Sequence, residues 1–311
     1  MIWWKRRSRC LGTQAALEWV LNNELPSGGI RVHSRHKRAY PEVTGYLIPT
    51  LLDYGQGDLA ARLARWLIDI QRPEGAFTDP DHGVPHIFDT GQALRGLLAA
   101  SELVPGAIPA AERAAGYLVN EMVDEGRGGF RLQPEYETQG IPQTIHLYVL
   151  PPLAAAAERF KQPDWAAAAQ RCAQHYLAHP QLCCAEQLTH FLAYQLEALL
   201  DLGRSGPAIP VLEGLETRQR PDGAVPATSR AAWVCVPGVA QLAVCWYKAG
   251  RPEPADRALR WLEQHQRRSG GFRGSTGRGA DYFPRTEVPW AAKYYLDAAR
   301  LRAANGWPAA P

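Results

Sequence analysis

Six mostly apolar segments of this chain each begin with polar side chains that are capable of acid/base chemistry. In chain order, the first residues of these segments are YPEVTGY, HIFDTGQ, QTIHLYV, CAEQLTH, SRAAWVC and PRTEVPW. Four of them carry a carboxylate: Glu42, Asp89, Glu186 and Glu287. An acid at a helix N-terminus has a structural use, because it stabilises the helix dipole by about 0.3 to 1 kcal/mol. Histidines, tyrosines and cations stand beside these acids, which favours a shared functional site over capping alone.

The spacing of these groups places several of them on common helix faces. Glu186 and His190 are four residues apart, and so are Glu42 and Tyr46. Carboxyl, imidazole and phenol groups that converge in a partly dry pocket can have pKa values near neutrality, as acid/base catalysis requires. The candidate catalytic residues are His146, His190, Tyr46, Tyr148, Glu42, Asp89, Glu186 and Glu287. The candidate substrate-binding residues are Tyr40, His86, Gln92, Arg95, Gln187, Trp233, Arg285, Trp290, Lys293 and Tyr294.

A carbohydrate is the substrate class that these residues suggest, because the set combines aromatic surfaces with carboxylates and amides. We expect an enzyme that acts on an acidic, uronate-containing glycan or glycolipid intermediate. Arg285 and Lys293 would neutralise the carboxylate of a uronate, and a tyrosine or histidine would then remove the C5 proton. Elimination would make the protein a lyase, and reprotonation from the other face would make it an epimerase. Alternatively, two of the carboxylates would hydrolyse a glycosidic bond, with their separation deciding inversion or retention.

Alternating helices are the elements that would bring these groups together. The more apolar helices are expected at 40–55, 89–102, 145–158, 186–203, 233–249 and 288–304, and the amphipathic ones at 13–24, 58–71, 111–122, 165–178, 208–219 and 254–266. A helix that is apolar nearly all round is buried, and an amphipathic one lies outside. We therefore predict an all-α, single-domain (α/α)6 toroid of six helical hairpins around a central cavity, rather than an open solenoid.

An internal repeat supports this architecture. RLARWLIDIQRPEGAF (62–77) aligns without gaps with RALRWLEQHQRRSGGF (257–272), so that Gln71 stands opposite Gln266. Each copy is an amphipathic helix that ends at a glycine, where a positive φ stops the helix. Further glycine turns occur at SGGI, RGGF and PDGAV, at intervals typical of helical hairpin repeats.

The motifs QRPEGAF, QRPDGAV and QRRSGGF resemble the repeat of the squalene cyclase and protein prenyltransferase β-subunit superfamily. That repeat usually ends in tryptophan or phenylalanine, and Val225 departs from it. The resemblance covers nearly the whole chain and implies the toroid fold rather than a reaction, since α/α toroids also carry lyases, epimerases and glycosidases. YPEVTGYLIPTLLDYG, FDTGQALRGL and EVPWAAKYYLDA are in addition similar to toroid proteins of bacterial polysaccharide biosynthesis.

Two other function classes stay open. An isoprenoid-handling enzyme would follow the repeat family, but the chain has neither an Asp-x-Asp-Asp nor an Asp-Asp-x-x-Asp motif. Asp89, Cys184 and His190 do not match the spacing of the prenyltransferase zinc ligands. The other class is a non-catalytic toroid that binds a glycan. We expect no organic cofactor, while a divalent metal among the acids and histidines is an open alternative.

Composition is that of an ordinary globular protein, with 46% hydrophobic residues, 21% charged residues and a formal net charge of +3. We expect a small-molecule or oligosaccharide partner and no nucleic acid. No long apolar stretch follows MIWWKRRSRC, so we expect a cytoplasmic protein without a transmembrane segment, with peripheral membrane contact through Trp3 and Trp4 as an alternative. The expected divisions are a tail at 1–12, the toroid domain at 13–306 and a tail at 307–311.

Overall fold

The computed structural model describes residues 11–122, 128–133, 138 and 140–306. Within these ranges the secondary structure is mainly helical. Two short strands, β1 (Val234–Cys235) and β2 (Ser275–Thr276), form an antiparallel pair, and five isolated β-bridges join residues of the described loops. Trp3, Trp4 and the tail at 307–311 lie outside the described residues. None of the described helices is long and apolar enough to cross a membrane.

The helices alternate between an inner and an outer ring, as predicted. The inner ring contains α2 (Pro41–Asp53), α4 (Ile87–Ala99), a 3-10 helix (Gln143–Val149) continued by α6 (Leu150–Arg159), α8 (Thr189–Asp201), α10 (Val236–Lys248) and α12 (Pro289–Ala304). The outer ring contains α1 (Thr13–Leu21), α3 (Gly57–Ile70), α5 (Ala107–Asn120), α7 (Pro163–Leu177), α9 (Ser205–Arg218) and α11 (Pro252–His265). The inner helices are the more buried ones because apolar residues surround them on nearly every side, and in α10 every residue from Val236 to Tyr247 is buried.

The inner ring closes on itself. Each inner helix packs against the next, and the last one, α12, also packs against the first, α2. Two hydrogen bonds link these first and last members: Thr50 Oγ1 donates to Asp297 Oδ1 at 2.7 Å, and the Tyr54 hydroxyl donates to the Leu296 carbonyl at 2.8 Å. The predicted (α/α)6 toroid is therefore confirmed, and the open solenoid is not adopted.

The glutamine that begins QRPEGAF, QRPDGAV and QRRSGGF has the same structural role in each copy, which explains why the motif is repeated. Gln71 Nε2 donates to the Gly75 carbonyl of its own turn at 3.1 Å and to the Ala110 carbonyl of the next outer helix at 2.8 Å. Gln219 makes the equivalent pair of bonds to Gly223 and Pro254. Each copy thus ties one hairpin to its neighbour in the ring.

Gln266 extends this pattern across the point where the two ends of the ring meet. Its Nε2 donates to the Gly270 carbonyl at 2.8 Å and to the Gly12 carbonyl at 3.0 Å. The turn glycines Gly75, Gly223 and Gly270 all have positive φ, at 99°, 96° and 97°. A Cβ at any of them would lie within 2.1 Å of a backbone oxygen in the adjacent outer helix, so only glycine fits these turns.

One predicted inner helix differs in form. The segment expected as a single helix at 145–158 is divided into the 3-10 helix and α6, which begins at Leu150 and continues with two prolines. Proline has no N–H to donate to the preceding turn, and it is therefore accepted at the start of an α-helix rather than in its interior. The consecutive Pro151 and Pro152 therefore set the position at which the 3-10 helix ends and α6 begins.

Candidate active site

A cavity of about 340 Å³ opens at the end of the toroid where the inner helices begin. Its walls combine carboxyl, imidazole and aromatic groups with few aliphatic ones. The lining residues are the acids Glu42, Asp79, Asp81 and Asp89; the histidines His33, His36, His82, His86 and His190; the aromatics Tyr40, Phe88, Phe191, Tyr194, Tyr282, Phe283 and Trp290; and Val32, Ile141 and Ile145.

Parallel inner helices bring the first of these groups together. Glu42 lies in the first turn of α2, Asp89 in the first turn of α4 and His190 in the first turn of α8. Residues far apart in the chain meet at one opening because every inner helix starts there. All three of these leading polar residues line the cavity.

Glu42 is the most perturbed carboxyl of the cavity. Burial raises its pKa to about 8, and the neighbouring negative charge of Asp89 contributes in the same direction. The Tyr194 hydroxyl donates to Glu42 Oε1 over 3.5 Å, which opposes the rise by favouring the carboxylate. The Glu42 carboxyl is therefore largely protonated at neutral pH and has a proton to donate.

The other three carboxylates are each close to an imidazole. His86 Nδ1 lies 3.6 Å from Asp89 Oδ1, and both side chains are nearly buried. His82 Nδ1 lies 2.5 Å from Asp79 Oδ2 nearer the surface. Asp81 is shared by His36, Arg38 and the hydroxyl of Tyr40.

His190 is held as a neutral imidazole. Burial lowers its pKa to about 3, and its ring centroid lies 4.4 Å from that of Tyr194. An imidazole of this kind accepts or donates a hydrogen bond without carrying charge at neutral pH. Tyr194 lies between His190 and Glu42: its ring packs against the imidazole, and its hydroxyl donates to the Glu42 carboxyl.

A layer of tyrosines lies beneath the cavity on the toroid axis. Tyr194 packs against Tyr148 with centroids 4.8 Å apart, and the Tyr294 hydroxyl donates to the Tyr148 hydroxyl at 3.2 Å. Tyr46 packs against Tyr294 at 6.4 Å. Tyr194 lines the cavity while Tyr148 lines the opening at the opposite end, so the layer separates the two openings.

The opposite opening holds two residues that the sequence interpretation had assigned to substrate binding. Lys293 pairs with Asp297 at 2.8 Å, and the Arg95 guanidinium lies over the Tyr148 ring at 4.6 Å. Both line the space between the C-terminal ends of the inner helices. The assignment of these cations to the mouth was wrong, because they sit one to two turns further along their helices than the acids do.

Two of the four predicted carboxylates do not reach the cavity. Glu186 is exposed and accepts a hydrogen bond from the Cys184 thiol at 2.9 Å. Glu287 accepts from the Trp19 indole at 2.7 Å and from the Ser269 hydroxyl at 2.8 Å. Glu287 therefore joins the last loop to the first outer helix, which is a structural role.

Five further predicted residues also lie outside the cavity. His146 is fully buried against Phe130, with ring centroids 5.6 Å apart, and burial lowers its pKa to about 3. Gln92 is buried and accepts from Arg95. Gln187 hydrogen-bonds Gln195 and Gln181, while Trp233 and Arg285 belong to loops beside the mouth. The predicted Tyr46, Tyr148 and Tyr294 also do not line the cavity and belong to the tyrosine layer beneath it. The predicted residues that do line it are Tyr40, Glu42, His86, Asp89, His190 and Trp290.

Sequence reasoning missed the loops that complete the cavity. Asp79, Asp81 and His82 stand in TDPDH, directly after a glycine turn, and this cluster of acids and an imidazole was a readable signal. Tyr194 is one helical turn beyond His190 and shares its face. The described residues contain no group of three or more His, Cys, Asp or Glu side chains arranged to hold a metal ion.

Comparison with known proteins finds no matching family model and no matching curated sequence. Solved structures do match. An unsaturated glucuronyl hydrolase specific for heparin has a TM-score of 0.68 at 14% identity, covering 96% of this chain and 98% of its own. A possible GH105 member from Salmonella enterica has a TM-score of 0.69 at 15% identity, covering 95% and 94%.

A third match comes from a different kind of enzyme. The type II terpene cyclase MstE from Scytonema has a TM-score of 0.63 at 16% identity, covering 94% of this chain and 97% of its own. Identities this low show a shared fold and no more. The chain has the α/α-toroid fold over nearly its full length, in common with these three proteins.

Proposed function

We propose that the protein is a carbohydrate-active enzyme that cleaves a glycosidic bond, with Glu42 as the general acid and Asp89 as the second carboxylate. The observation that carries this proposal is that two carboxyls from neighbouring inner helices line one aromatic-walled cavity in different environments. One is desolvated and protonated, and the other is paired with an imidazole. Glycoside cleavage needs such a pair.

The proposed chemistry assigns a role to each group. Glu42 donates its proton to the oxygen of the bond that breaks, and positive charge develops on the sugar ring. The Asp89 carboxylate stabilises that charge, either by activating water or by attacking the ring itself, and His86 orients it from 3.6 Å. Tyr194 positions the Glu42 carboxyl through its hydroxyl.

The walls support a sugar as ligand. Seven aromatic side chains line the cavity, and flat aromatic surfaces pack well against the apolar faces of sugar rings. Several of the structurally similar proteins carry names of glycosidases or a glucuronyl hydrolase, which is consistent with this assignment.

Epimerase and lyase chemistry on a uronate is less well supported. In both reactions a cation beside the carboxylate of the reacting sugar assists removal of the C5 proton, and no lysine or arginine is among the described residues that line the cavity. The two cations predicted to neutralise that carboxylate lie apart: Lys293 is at the opposite opening and Arg285 is in an exposed loop. Hydrolysis, which develops positive charge, suits an acidic aromatic cavity better.

The test compares three purified variants against a panel of aryl glycosides and oligosaccharides. We expect Glu42→Gln and Asp89→Asn each to lower kcat/KM by about 10² to 10⁴ on any substrate that the protein turns over. Glu186→Gln, which changes an exposed carboxyl at the same end, is the matched control and should retain turnover. Full activity of Glu42→Gln would remove the assignment.

An isoprenoid-handling enzyme is the second candidate, favoured by the tyrosine layer beneath the cavity. Aromatic faces stabilise carbocations, and a buried protonated acid is able to protonate an alkene. This function predicts that prenyl diphosphates bind in the cavity. Calorimetric titration with farnesyl diphosphate that gives no heat, alongside turnover of a glycoside, would eliminate it.

A further inference from the structure

Formal charge is distributed very unevenly over this chain. The segments 31–38 and 267–287 contain nine cations, namely Arg31, Arg35, Lys37, Arg38, Arg267, Arg268, Arg273, Arg278 and Arg285, and two acids, Asp281 and Glu287. Their net charge is 9 − 2 = +7, while the rest of the chain has 25 Lys and Arg against 29 Asp and Glu, or −4. A protein with a formal net charge of only +3 thus has a net charge of +7 in these two segments.

These two segments are adjacent in the closed ring. The Ser34 amide donates to the Glu287 carbonyl at 2.9 Å, and the Glu287 amide donates to Ser34 Oγ at 3.0 Å. The rings of His33 and Phe283 lie 5.6 Å apart, and both side chains line the cavity. We call the combined surface of 31–38 and 267–287 the basic lip of the cavity.

The cations of the lip are available to a partner. Eight of the nine are exposed, and only Arg31 is partly buried. Within the part of the chain that the structure describes, Arg38 alone among them forms an ion pair, with Asp81. A shallow depression of about 370 Å³ between Asp281 and Thr286 includes Arg285 and shares Tyr282 and Phe283 with the cavity.

We infer that the basic lip binds the acidic part of a glycan chain whose end enters the cavity. Exposed guanidinium groups bind carboxylates and sulfates in a bidentate manner. A cluster of positive charges also attracts a polyanion over a Debye length of about 8 Å. The identification of the polyanion as a glycan rests on the proposed function, because the lip is continuous with the aromatic cavity. The acidic sugars then lie outside the cavity, whose own lining has no such cation among the described residues.

The experiment measures binding of heparin oligosaccharides, with dextran as the neutral polymer, by calorimetry at low and high salt. The lip variant Arg273→Glu/Arg278→Glu/Arg285→Glu is compared with Arg65→Glu/Arg171→Glu/Arg204→Glu, which makes the same charge change at exposed arginines outside the lip. We expect salt-sensitive binding of heparin and none of dextran. The lip variant should lose affinity roughly tenfold or more, and the control should lose about twofold or less.

An equal loss in both triple variants would overturn the inference, because it would show a general charge effect. Equal binding of single-stranded DNA, or of phosphatidylglycerol vesicles, at matched charge would overturn it in favour of another polyanion. Thermal melts show whether a variant is folded, and Arg273→Gln/Arg278→Gln/Arg285→Gln serves where charge reversal prevents folding. Heparin binding without any glycoside turnover would contradict the proposed function and leave the lip standing, while turnover without heparin binding would do the reverse.

Discussion

Replacing Glu42 by glutamine should stabilise the fold at neutral and alkaline pH, although it removes the proposed catalytic acid. The folded-state pKa of about 8 lies above the ordinary value of 4.5, and burial is the main cause. Folding therefore favours the protonated form, so the contribution of Glu42 to stability is fully present below pH 4.5 and is lost as pH rises through 8. Glutamine resembles the protonated acid and cannot lose a proton.

The size of the effect follows from these two values. At pH 7 the unfolded carboxyl is 7 − 4.5 = 2.5 pH units beyond its pKa, whereas the folded one is still mostly protonated. At 1.36 kcal/mol per unit, the wild type then bears a penalty on the order of 3 kcal/mol that the glutamine variant avoids. The penalty should level off above pH 8, where both states are ionised.

Urea unfolding of both proteins over a range of pH measures this difference in the free energy of unfolding. The difference should be near zero at pH 4, grow between about 4.5 and 8, and then stay constant. Glu186→Gln is the control, because its exposed carboxyl accepts a hydrogen bond that lowers its pKa, so no gain with rising pH is expected. A Glu42→Gln effect that does not change with pH would refute the assignment of a desolvated carboxyl.

Three further outcomes are expected. In profiles of kcat/KM against pH, activity should fall as pH rises through about 8, where Glu42 loses its proton. The hydrogen bond from Tyr194 favours ionised Glu42, so Tyr194→Phe should shift this fall to higher pH. A fall at an unchanged pH would contradict the contact. The lowered pKa of His190 means that stability is present above pH 6.5 and is lost as pH falls towards 3. His190→Asn should therefore lose less stability than the wild type between pH 7 and pH 4 to 5, as thermal melts at both pH values would show; an equal loss in the two proteins would contradict this. Gly223→Ala should destabilise the fold by about 2 kcal/mol or more because its Cβ would lie 2.0 Å from a carbonyl, whereas Gly203→Ala, with open space around it, should cost about 1 kcal/mol in denaturant unfolding.

The charged groups at the opposite end of the toroid have a structural explanation. Lys248 lies between Glu197 and Asp201, at 2.9 Å and 2.6 Å. Burial by itself would raise the pKa of Glu197, but the nearby lysines hold it at about 2. These pairs join neighbouring inner helices at their C-terminal ends, where cations also suit the helix dipole.

The sequence by itself determined the helices, their alternation and the ring. Apolar periodicity distinguished buried from amphipathic helices because burial depends on the composition of each helix face. The repeated glutamine and glycine marked the turns because a positive φ and a close backbone approach admit no other residue at Gly75 or Gly223. These are local properties, and the chain carries them in every hairpin.

Only the tertiary structure decided which polar groups meet. Glu42 and Asp89 face the cavity, while Glu186 and Glu287 occupy similar positions in the sequence and face elsewhere. Glu42 and Asp89 lie in the first turns of α2 and α4, whereas Glu186 and Glu287 belong to the loops before α8 and α12, which begin at Thr189 and Pro289. The residue at which a helix begins and the path of the loop before it are set by packing between segments far apart in the chain. For the same reason Tyr282, which closes the cavity from the last loop, has no signal in its own neighbourhood.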